Sequence, residues 1–470
     1  MALHIAVDVV RESKQSLTSQ IQRFLRKEIA EGILHPGTRL PSSRRLADDL
    51  GVSRSVVVEA FGQLVAEGYL EAVQGAGTRV VEHLEAAPPR PVVPALLDDG
   101  PEGQVPDVRW DLRPGGRNVP AFPRREWLSC YQRVLNRADP TDHGYPPLAG
   151  LPGLREELAR CLGRLRGVRA DADQVMVVAG FAQTLGLVCA MLAQDGVEAL
   201  AIEDPGHPGQ RQFVRDSGLR PVPLPVDAEG VDVDALAASG ARAVLVTPAH
   251  QFPTGVTLSA RRREALARWA RERDGLVIED DYDGGLWYEQ GGPRPLALQR
   301  DLPDRVVYAG TASKSLVPGL RLGWVAAPRP LLAALLGVRA RHDLGTDTLT
   351  QLAFAELLRS GLFDRHLRRL NSRCRGRREA LEQAVRTHLP GAVVVGRAAG
   401  LHAYVRLPPQ VDEQAVVAGA LARSVLVRGG AAFHAGARRC RPALVVGHAH
   451  LPTSGLADAV RVLGAVTRGG

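Results

Sequence analysis

The chain has 470 residues, too many for one ordinary domain and enough for a small module beside a large one with a deep core. Hydrophobic residues make up 45% and charged residues 23%, which excludes extensive disorder. The net charge is +8, but the first 80 residues set ten Lys and Arg against nine Asp and Glu, so any binding of a polyanion there must come from placement of charge, not its sum.

From Ser16 to Gly32, Leu17, Ile21, Phe24, Leu25 and Ile29 recur at helical spacing, which predicts an amphipathic first helix. After the turn-rich stretch from His35 to Pro41, Ser42 or Ser43 caps a short helix ending at Leu50, with Gly51 placed to close it. Ser53 caps a second helix whose Val57, Phe61, Leu64 and Val65 give it a buried stripe. The link between the two is only Gly51-Val52. A turn at Gly75-Ala-Gly77 between two strand-like pieces completes a winged helix-turn-helix over residues 12–81. Arg44 and Arg45 then lie on the supporting helix, and Ser53, Arg54 and Ser55 open the recognition helix, whose N-terminal end enters the major groove. Arg54 is the candidate for a guanine, and Ser53 and Ser55 for phosphate oxygens. Gly75, Gly77, Thr78 and Arg79 would bring the wing to the backbone. One such arginine alone reads as a solvated surface group; five hydroxyl or guanidinium groups on one motif point to operator DNA.

Residues 82–107 hold clustered prolines (Pro88, Pro89, Pro91, Pro94, Pro101, Pro106) without periodicity, a semi-extended linker. Over residues 108–470, apolar runs at 174–179, 199–202, 243–246, 276–278, 305–309 and 323–326 alternate with helical stretches, which predicts an α/β domain with a mostly parallel sheet. Most runs end in small or polar residues, and ligands bind at that edge of such sheets. After about residue 329 the chain turns helical, and from 392 alternating strands suggest a smaller α+β subdomain. The arginine-rich stretch 359–378 reads as a solvated or interdomain face. The five cysteines are odd in number and lack CxxC or Cys/His spacing, so reduced thiols and no metal site are expected. No apolar run reaches the roughly 18 to 20 residues of a membrane span, so a cytoplasmic protein with no membrane contact is expected.

Only three lysines stand against 56 arginines, and one of them, Lys314, is alone in the last 443 positions. Arginine replaces lysine where charge suffices, but its guanidinium cannot become a free nucleophilic amine. Lys314 lies in Gly310-Thr-Ala-Ser-Lys-Ser-Leu-Val-Pro-Gly-Leu-Arg321, where Thr311, Ser313 and Arg321 are groups that would hold a phosphate. An amine beside a phosphate seat points to pyridoxal phosphate. In Glu279-Asp-Asp-Tyr-Asp283, Asp280 could keep a pyridine nitrogen protonated and Tyr282 could donate to the ring's phenolic oxygen. Alone, that motif would read as a solvated acidic turn. Ala179-Gly-Phe-Ala-Gln183 follows a strand-like run and leads into a helix at Thr184, so the backbone amides of Gly180, Phe181 and Ala182 could hold the phosphate as well.

With these residues, Asp111-Leu-Arg-Pro-Gly115, the segment Gly144 to Arg155, Glu203-Asp-Pro-Gly206 and Thr247-Pro-Ala-His-Gln-Phe-Pro-Thr-Gly255, the chain resembles nearly end to end the MocR/GabR-type regulators. These are GntR-class winged helices fused to a fold-type I aminotransferase-like domain. The resemblance implies that Lys314 attaches the cofactor, that Asp280 pairs with the pyridinium, and that Thr311, Ser313 and Arg321 bind phosphate. It also implies a homodimer, with Tyr145 as a phosphate ligand lent by the partner subunit. Two positions depart from the pattern: His207 stands where the family often stacks an aromatic ring on the cofactor, and Val445 where amino-acid-binding relatives carry an arginine for the substrate carboxylate. Loss of that contact removes roughly 1.5 to 3 kcal/mol from amino-acid binding. Arg211, Arg428 or Arg441 could substitute, though each reads first as a surface arginine.

The expected function is a DNA-binding transcriptional regulator whose large domain senses pyridoxal 5'-phosphate or a PLP-reactive amine effector. The rival readings are an active aminotransferase carrying a DNA-binding module, against which Val445 counts, and a DNA-binding dimer with a vestigial large domain, against which Lys314, Asp280 and Arg321 count.

Overall fold

The computed structural model describes residues 16–30, 32–73, 77–81, 107–115, 122–140, 144–290, 294–436 and 440–469; Gly75 and residues 82–106 of the Pro-rich segment lie outside them. The chain divides into two compact units, Met1–Val93 and Pro94–Gly470.

In the first unit, α1 (Leu17–Ala30), α2 (Ser43–Leu50) and α3 (Arg54–Ala66) precede the antiparallel strands β1 (Leu70–Val73) and β2 (Gly77–Val80). Ile21 and Leu25 of α1, Leu46 of α2, and Val57, Ala60, Phe61 and Leu64 of α3 share one core. The Ser42 hydroxyl accepts from the Arg45 N–H and caps α2. Gly51 ends that helix at φ 61°, a left-handed conformation that glycine adopts without strain. Ser53 occupies the cap position of α3, but its hydroxyl makes no capping bond; it lies 2.8 Å from the Ser55 hydroxyl instead. The wing has a third piece: the Leu40 N–H donates to Thr78 and the Val80 N–H to Thr38, both at 2.9 Å.

The second unit begins with β3 (Trp110–Asp111), α4 (Arg124–Leu135) and α5 (Pro152–Arg166). Strands and helices then alternate: β4 (Val175–Val178), α6 (Phe181–Gln194), β5 (Ala199–Asp204), α7 (Pro208–Asp216), β6 (Arg220–Asp227), β7 (Gly230–Val231), α8 (Val233–Ser239), β8 (Ala243–Val246), α9 (Ala260–Glu272), β9 (Leu276–Asp281), β10 (Val306–Thr311) and β11 (Gly323–Ala326). Three helices follow, α10 (Arg329–Arg339), α11 (Thr348–Arg359) and α12 (Leu362–His388). The smaller subdomain comprises β12 (Val393–Val395), β13 (His402–Arg406), α13 (Glu413–Leu421), β14 (Val425–Leu426), β15 (Arg428–Gly429), β16 (Ala443–Gly447) and α14 (Thr453–Gly469).

The main sheet has the order β4-β11-β10-β9-β8-β5-β6-β7, parallel from β10 through β6 with β11 antiparallel to both neighbours. Its strands are apolar on both faces because helices cover both: Val177, Val246 and Val277 enter one cluster, Val178, Leu245 and Ile278 the other. The smaller sheet has the order β12-β13-β16-β15.

Strand β6 was not anticipated, because Pro221, Pro223 and Pro225 weaken its strand signal. The three prolines share one parity, so the N–H groups they lack all point away from β5, and the ladder to β5 survives. On α12, Arg365, Arg368, Arg369, Arg373 and Arg375 are exposed as a solvated face requires, whereas Arg378 is buried and donates to Glu382 at 2.7 Å.

The alternation along β9 sorts its carboxylates. Glu279 accepts from the Leu298 and Gln299 N–H groups at 2.9 and 3.1 Å. Asp281, on the same side, takes a bidentate pair from Arg166 at 2.6 and 3.0 Å, and both residues are buried. Breaking one side of such a pair strands a charge in low dielectric. Arg166→Ala should therefore lower the stability of the large unit by about 3–5 kcal/mol, measured by urea unfolding followed through tryptophan fluorescence. A loss below about 1 kcal/mol, the range of exposed pairs, would show that Asp281 is solvated.

Candidate cofactor pocket and DNA-reading surface

Strands β4, β5, β8, β9 and β10 all run the same way, so residues 179–182, 204–207, 247–255, 280–283 and 311–314 emerge at one sheet edge. Because β11 runs oppositely, it starts at that edge, just after Arg321. Gly323 pairs with Thr311 on one side and Val178 on the other. A Cβ there would lie 2.9 Å from both the Gly180 Cα and the Gly310 carbonyl oxygen, so glycine is what lets these loops converge.

The convergence brings together the groups expected from sequence to hold a phosphate. Gly180, at φ 100°, opens α6 with no side-chain cap, leaving the first helical N–H groups around Phe181 and Ala182 directed outward. The Arg321 guanidinium lies against Gly180, 3.4 Å from where its Cβ would stand. The Thr311 hydroxyl donates to the Ser313 hydroxyl at 2.9 Å and accepts from the Ser313 N–H at 3.1 Å. Arg321 itself holds φ 47°, a strained conformation for a non-glycine residue that costs on the order of 1–2 kcal/mol. The Lys314 amine lies 3.3 Å from the Cβ position of Gly115, which brings the 111–115 motif to the same place.

Asp280 is the odd carboxylate of β9. Its Oδ2 accepts from Gln210 of α7 at 3.0 Å, while its buried Oδ1 has no hydrogen-bond partner among the described residues. Burial, with Asp281, Asp283 and Glu203 nearby, pushes its carboxyl well above the usual range. Tyr282 is likewise raised by burial and by Asp283 and Asp280, so its phenol stays protonated. Its oxygen lies 3.0 Å from His250 Nδ1, which is 2.7 Å from Asp283 Oδ2. His250 fits only because Gly255 and Gly400 approach it closely; a Cβ on Gly400 would stand 2.7 Å from its ring.

An aromatic wall flanks this pocket. Phe252 meets His207, His402 and Phe433 with ring centroids 5.5, 5.0 and 5.5 Å apart. Burial, then His250 and His448, hold His402 well below its usual range, so it is a neutral member of the wall. Gln210, His250, Phe252, Asp283, His402 and Phe433 were not singled out from sequence. His250 and Phe252 sat in a quoted motif without a role, while Gln210, His402 and Phe433 carry no local signal because tertiary packing brings them in. Tyr145 is 86% exposed and so does not line this pocket.

Of the three arginines offered as substitutes at Val445, Arg211 is buried, not a surface residue. It is committed to the Gly206, Phe433 and His434 carbonyls at 2.9, 2.8 and 3.2 Å. Arg441 is exposed, and Arg428 sits directly across the strand pair from Val445. Val445 is fully buried.

In the first unit, Arg44, Arg45, Ser53, Arg54, Ser55 and Gly77 are exposed and Thr78 is half-buried. Arg79 is tied to Glu71 at 2.6 Å. Arg39, which sequence reasoning passed over, forms a β-bridge with Arg79 and packs its guanidinium 3.4 Å from the Cβ position of Gly77. The segment 38–40, bridged to β2, carries it there, a pairing that a turn-rich sequence does not announce.

Residues 17–80 match the family described as bacterial regulatory proteins, gntR family, and residues 118–462 the family aminotransferase class I and II. The chain is 34% identical to the HTH-type pyridoxine biosynthesis transcriptional regulator PdxR of Corynebacterium glutamicum over 83% of each chain. It is 32% identical to the HTH-type transcriptional regulator TauR of Rhodobacter capsulatus, covering 90% of this chain and 91% of that one. The probable rhizopine catabolism regulatory protein MocR of Rhizobium meliloti is 31% identical over 81% of this chain and 79% of its own. Among solved structures, the multiple substrate aminotransferase of Thermococcus profundus superposes with a TM-score of 0.69 at 26% identity, covering 77% of this chain and 92% of that one. LysN, the α-aminoadipate aminotransferase of Thermus thermophilus, gives 0.67 at 28% identity, covering 76% and 92%. A helix-turn-helix and an aminotransferase fold of a pyridoxal-phosphate-dependent class, joined in one chain and matched nearly end to end by named regulators, place this protein in the MocR-type branch of the GntR transcriptional regulators.

Proposed function

We propose that this regulator binds operator DNA through its winged helix and that its large unit holds pyridoxal 5'-phosphate as the signal. The observation that carries the reading is Asp280: a buried carboxylate with one bare oxygen, at the end of the strand beside the one that leads to Lys314. A protonated ring nitrogen is the cation that such an oxygen lacks. The remaining groups fit the same ligand: Gly180, Phe181, Ala182, Thr311, Ser313 and Arg321 for its phosphate, Tyr282 for its phenolic oxygen, His207 beside its ring, and Lys314 for its aldehyde. When bound, the group supplies an electrophilic carbon and an electron-withdrawing ring. Asp280 would hold the proton on the ring nitrogen, Tyr282 would donate its hydrogen, and the Phe252 and Phe433 side would keep water out.

Val445 and the commitment of Arg211 to backbone carbonyls leave an amino-acid carboxylate poorly served, which favours PLP itself over an amino-acid adduct as the effector. The name of the Corynebacterium glutamicum relative, a pyridoxine biosynthesis regulator, supports the same choice. A second copy is expected to cover the exposed Tyr145, Leu128, Leu135 and Leu344, making a homodimer in which Tyr145 serves the partner's phosphate seat. No helix among the described residues is long and apolar enough to cross a membrane, and an operator-binding role assigns the protein to the cytoplasm.

Purified protein mixed with PLP should show a near-visible absorption band that Lys314→Ala lacks, and PLP should shift its operator titration. A band with superimposable titrations would leave the cofactor standing and remove it as the signal. Asp280 gives a second expectation. Its carboxyl is raised in the folded state, so its contribution to stability is full below the ordinary carboxylate range and is lost as pH rises toward the raised value. Without PLP, Asp280→Asn should therefore melt with the unsubstituted protein near pH 4 and above it at pH 7 to 8, by about 1–3 kcal/mol. With PLP at about 100 times its Kd, the unsubstituted protein should gain about 2.7 kcal/mol and the variant much less. Equal gains would show that Asp280 does not face the ligand.

A further inference from the structure

The recognition helix carries an apolar side chain that its own fold does not use. On α3, Val57, Ala60, Phe61 and Leu64 are buried, and Val58 is 50% exposed. A solvent-exposed β-branched residue contributes nothing to the core and slightly disfavours the helix. Scattered exposed apolar residues are ordinary on protein surfaces, so the exposure alone decides nothing. The position does. Val58 is four residues after Arg54 and therefore one turn along the same face. The next residue on that face is Gly62, whose Cβ position meets nothing within 4 Å. The nearby polar groups are drawn aside: Glu59 accepts from Thr18 of α1 at 3.3 Å, and Gln63 donates to Glu67 at 3.0 Å. What remains outward is a smooth stripe with a guanidinium at its N-terminal end, flanked by Ser53 and Ser55 and by exposed Arg44 and Arg45 of α2. That is a cationic rim around an apolar centre.

In the major groove the one apolar group on a base edge is the 5-methyl of thymine. Resting on the operator-binding reading above, we propose that Val58 reads a thymine methyl in each operator half-site, one or two base pairs from the base pair that Arg54 reads. The four residues from Arg54 to Val58 advance about 6 Å along the helix. Base pairs step by about 3.4 Å, so the thymine lies one or two base pairs from the Arg54 contact. A thymine placed there buries its methyl against a side chain that is already exposed and rigid, so little conformational entropy is lost on contact. Cytosine at the same place presents an N4 donor to an isopropyl group that cannot accept it, which adds discrimination.

The test uses the full-length protein with PLP. Random duplex DNA is enriched on it to find the operator, and single thymines of one half-site are then replaced by deoxyuridine, which removes only the methyl. At one position the replacement should weaken binding about fourfold, equivalent to the ~0.8 kcal/mol of one buried methyl-sized group. Val58→Ala should weaken binding to the thymine operator, and for it the same deoxyuridine should cost nothing more. Val58→Thr, which keeps one methyl, should retain most of the thymine preference. If the protein enriches a discrete duplex yet shows no methyl dependence, or if Val58→Ala retains the full deoxyuridine penalty, the inference about Val58 is overturned while the operator-binding reading stands. If no duplex is enriched, that reading fails and the inference goes with it.

Discussion

A buried carboxyl with one oxygen left without a hydrogen-bond partner among the described residues is the constraint on which the large unit turns. Three carboxylates follow one another on β9, and the fold handles each differently. Glu279 is satisfied by two backbone N–H groups and Asp281 by Arg166, while among the described residues Asp280 accepts only from the neutral amide of Gln210. An isolated buried carboxylate costs several kcal/mol or takes up a proton. Further cost lies at the same sheet edge, where Arg321 is held in a left-handed conformation beside Gly180. Unpaired charge and backbone strain persist where the surrounding structure over-determines them, and they concentrate where a ligand offsets them. Here both would be relieved by one molecule, a cation at one end and a phosphate at the other.

The same geometry separates sensing from turnover. A phosphate seat and an acidic partner for the ring serve any protein that holds this cofactor, whereas amino-acid chemistry also requires the substrate carboxylate to be fixed. Val445 is buried between Tyr404 on one neighbouring strand and Arg428 on the other. An isopropyl group at that point packs the small sheet and accepts no anion. Arg211 lies near Phe433 but spends its guanidinium on three carbonyls. If these residues hold the cofactor as proposed, a pocket with valine at the expected carboxylate position would be suited to being occupied more than to processing a stream of amino acids.

Much of this was legible in the sequence because the chemistry could be seen by substitution. In a chain that writes arginine almost everywhere, a lone lysine beside Thr311, Ser313 and Arg321 marks a need for an amine, and the strands that bring these residues together are short apolar runs of the expected period. The illegible parts have physical causes. The prolines of β6 hide a strand because propensity scores them without regard to which edge loses the N–H group. The His250–Asp283 pair and the Asp280–Gln210 contact join residues 33 and 70 positions apart, and only packing reveals them. Arg211 looked like surface charge because nothing local shows that backbone carbonyls from residues 206, 433 and 434 surround it. The Ser53 hydroxyl follows the cap preference in position but not in bonding, since Ser55 offers it a nearer partner.

Placing recognition and sensing in separate units fixes how a signal can act. A ligand changes operator affinity only by the difference in its own affinity for the two states of the protein, and a tenfold effect requires 1.4 kcal/mol of that difference. Recognition by the two-fold dimer proposed above would give this small energy large leverage. Each half-site alone binds weakly, and the second engages with an effective concentration set by how well the spacing of the two helices matches the DNA. A ligand that favours one spacing over another by a few kcal/mol need not touch Arg54 or any other reading residue to switch the whole complex. The unsatisfied carboxyl of Asp280 and the strain at Arg321 are of that magnitude, and both lie in the unit that would hold the two copies together. On the proposed reading, the energy released when the cofactor seats would be available to the arrangement of subunits, and the recognition helices would keep their sequence preference unchanged.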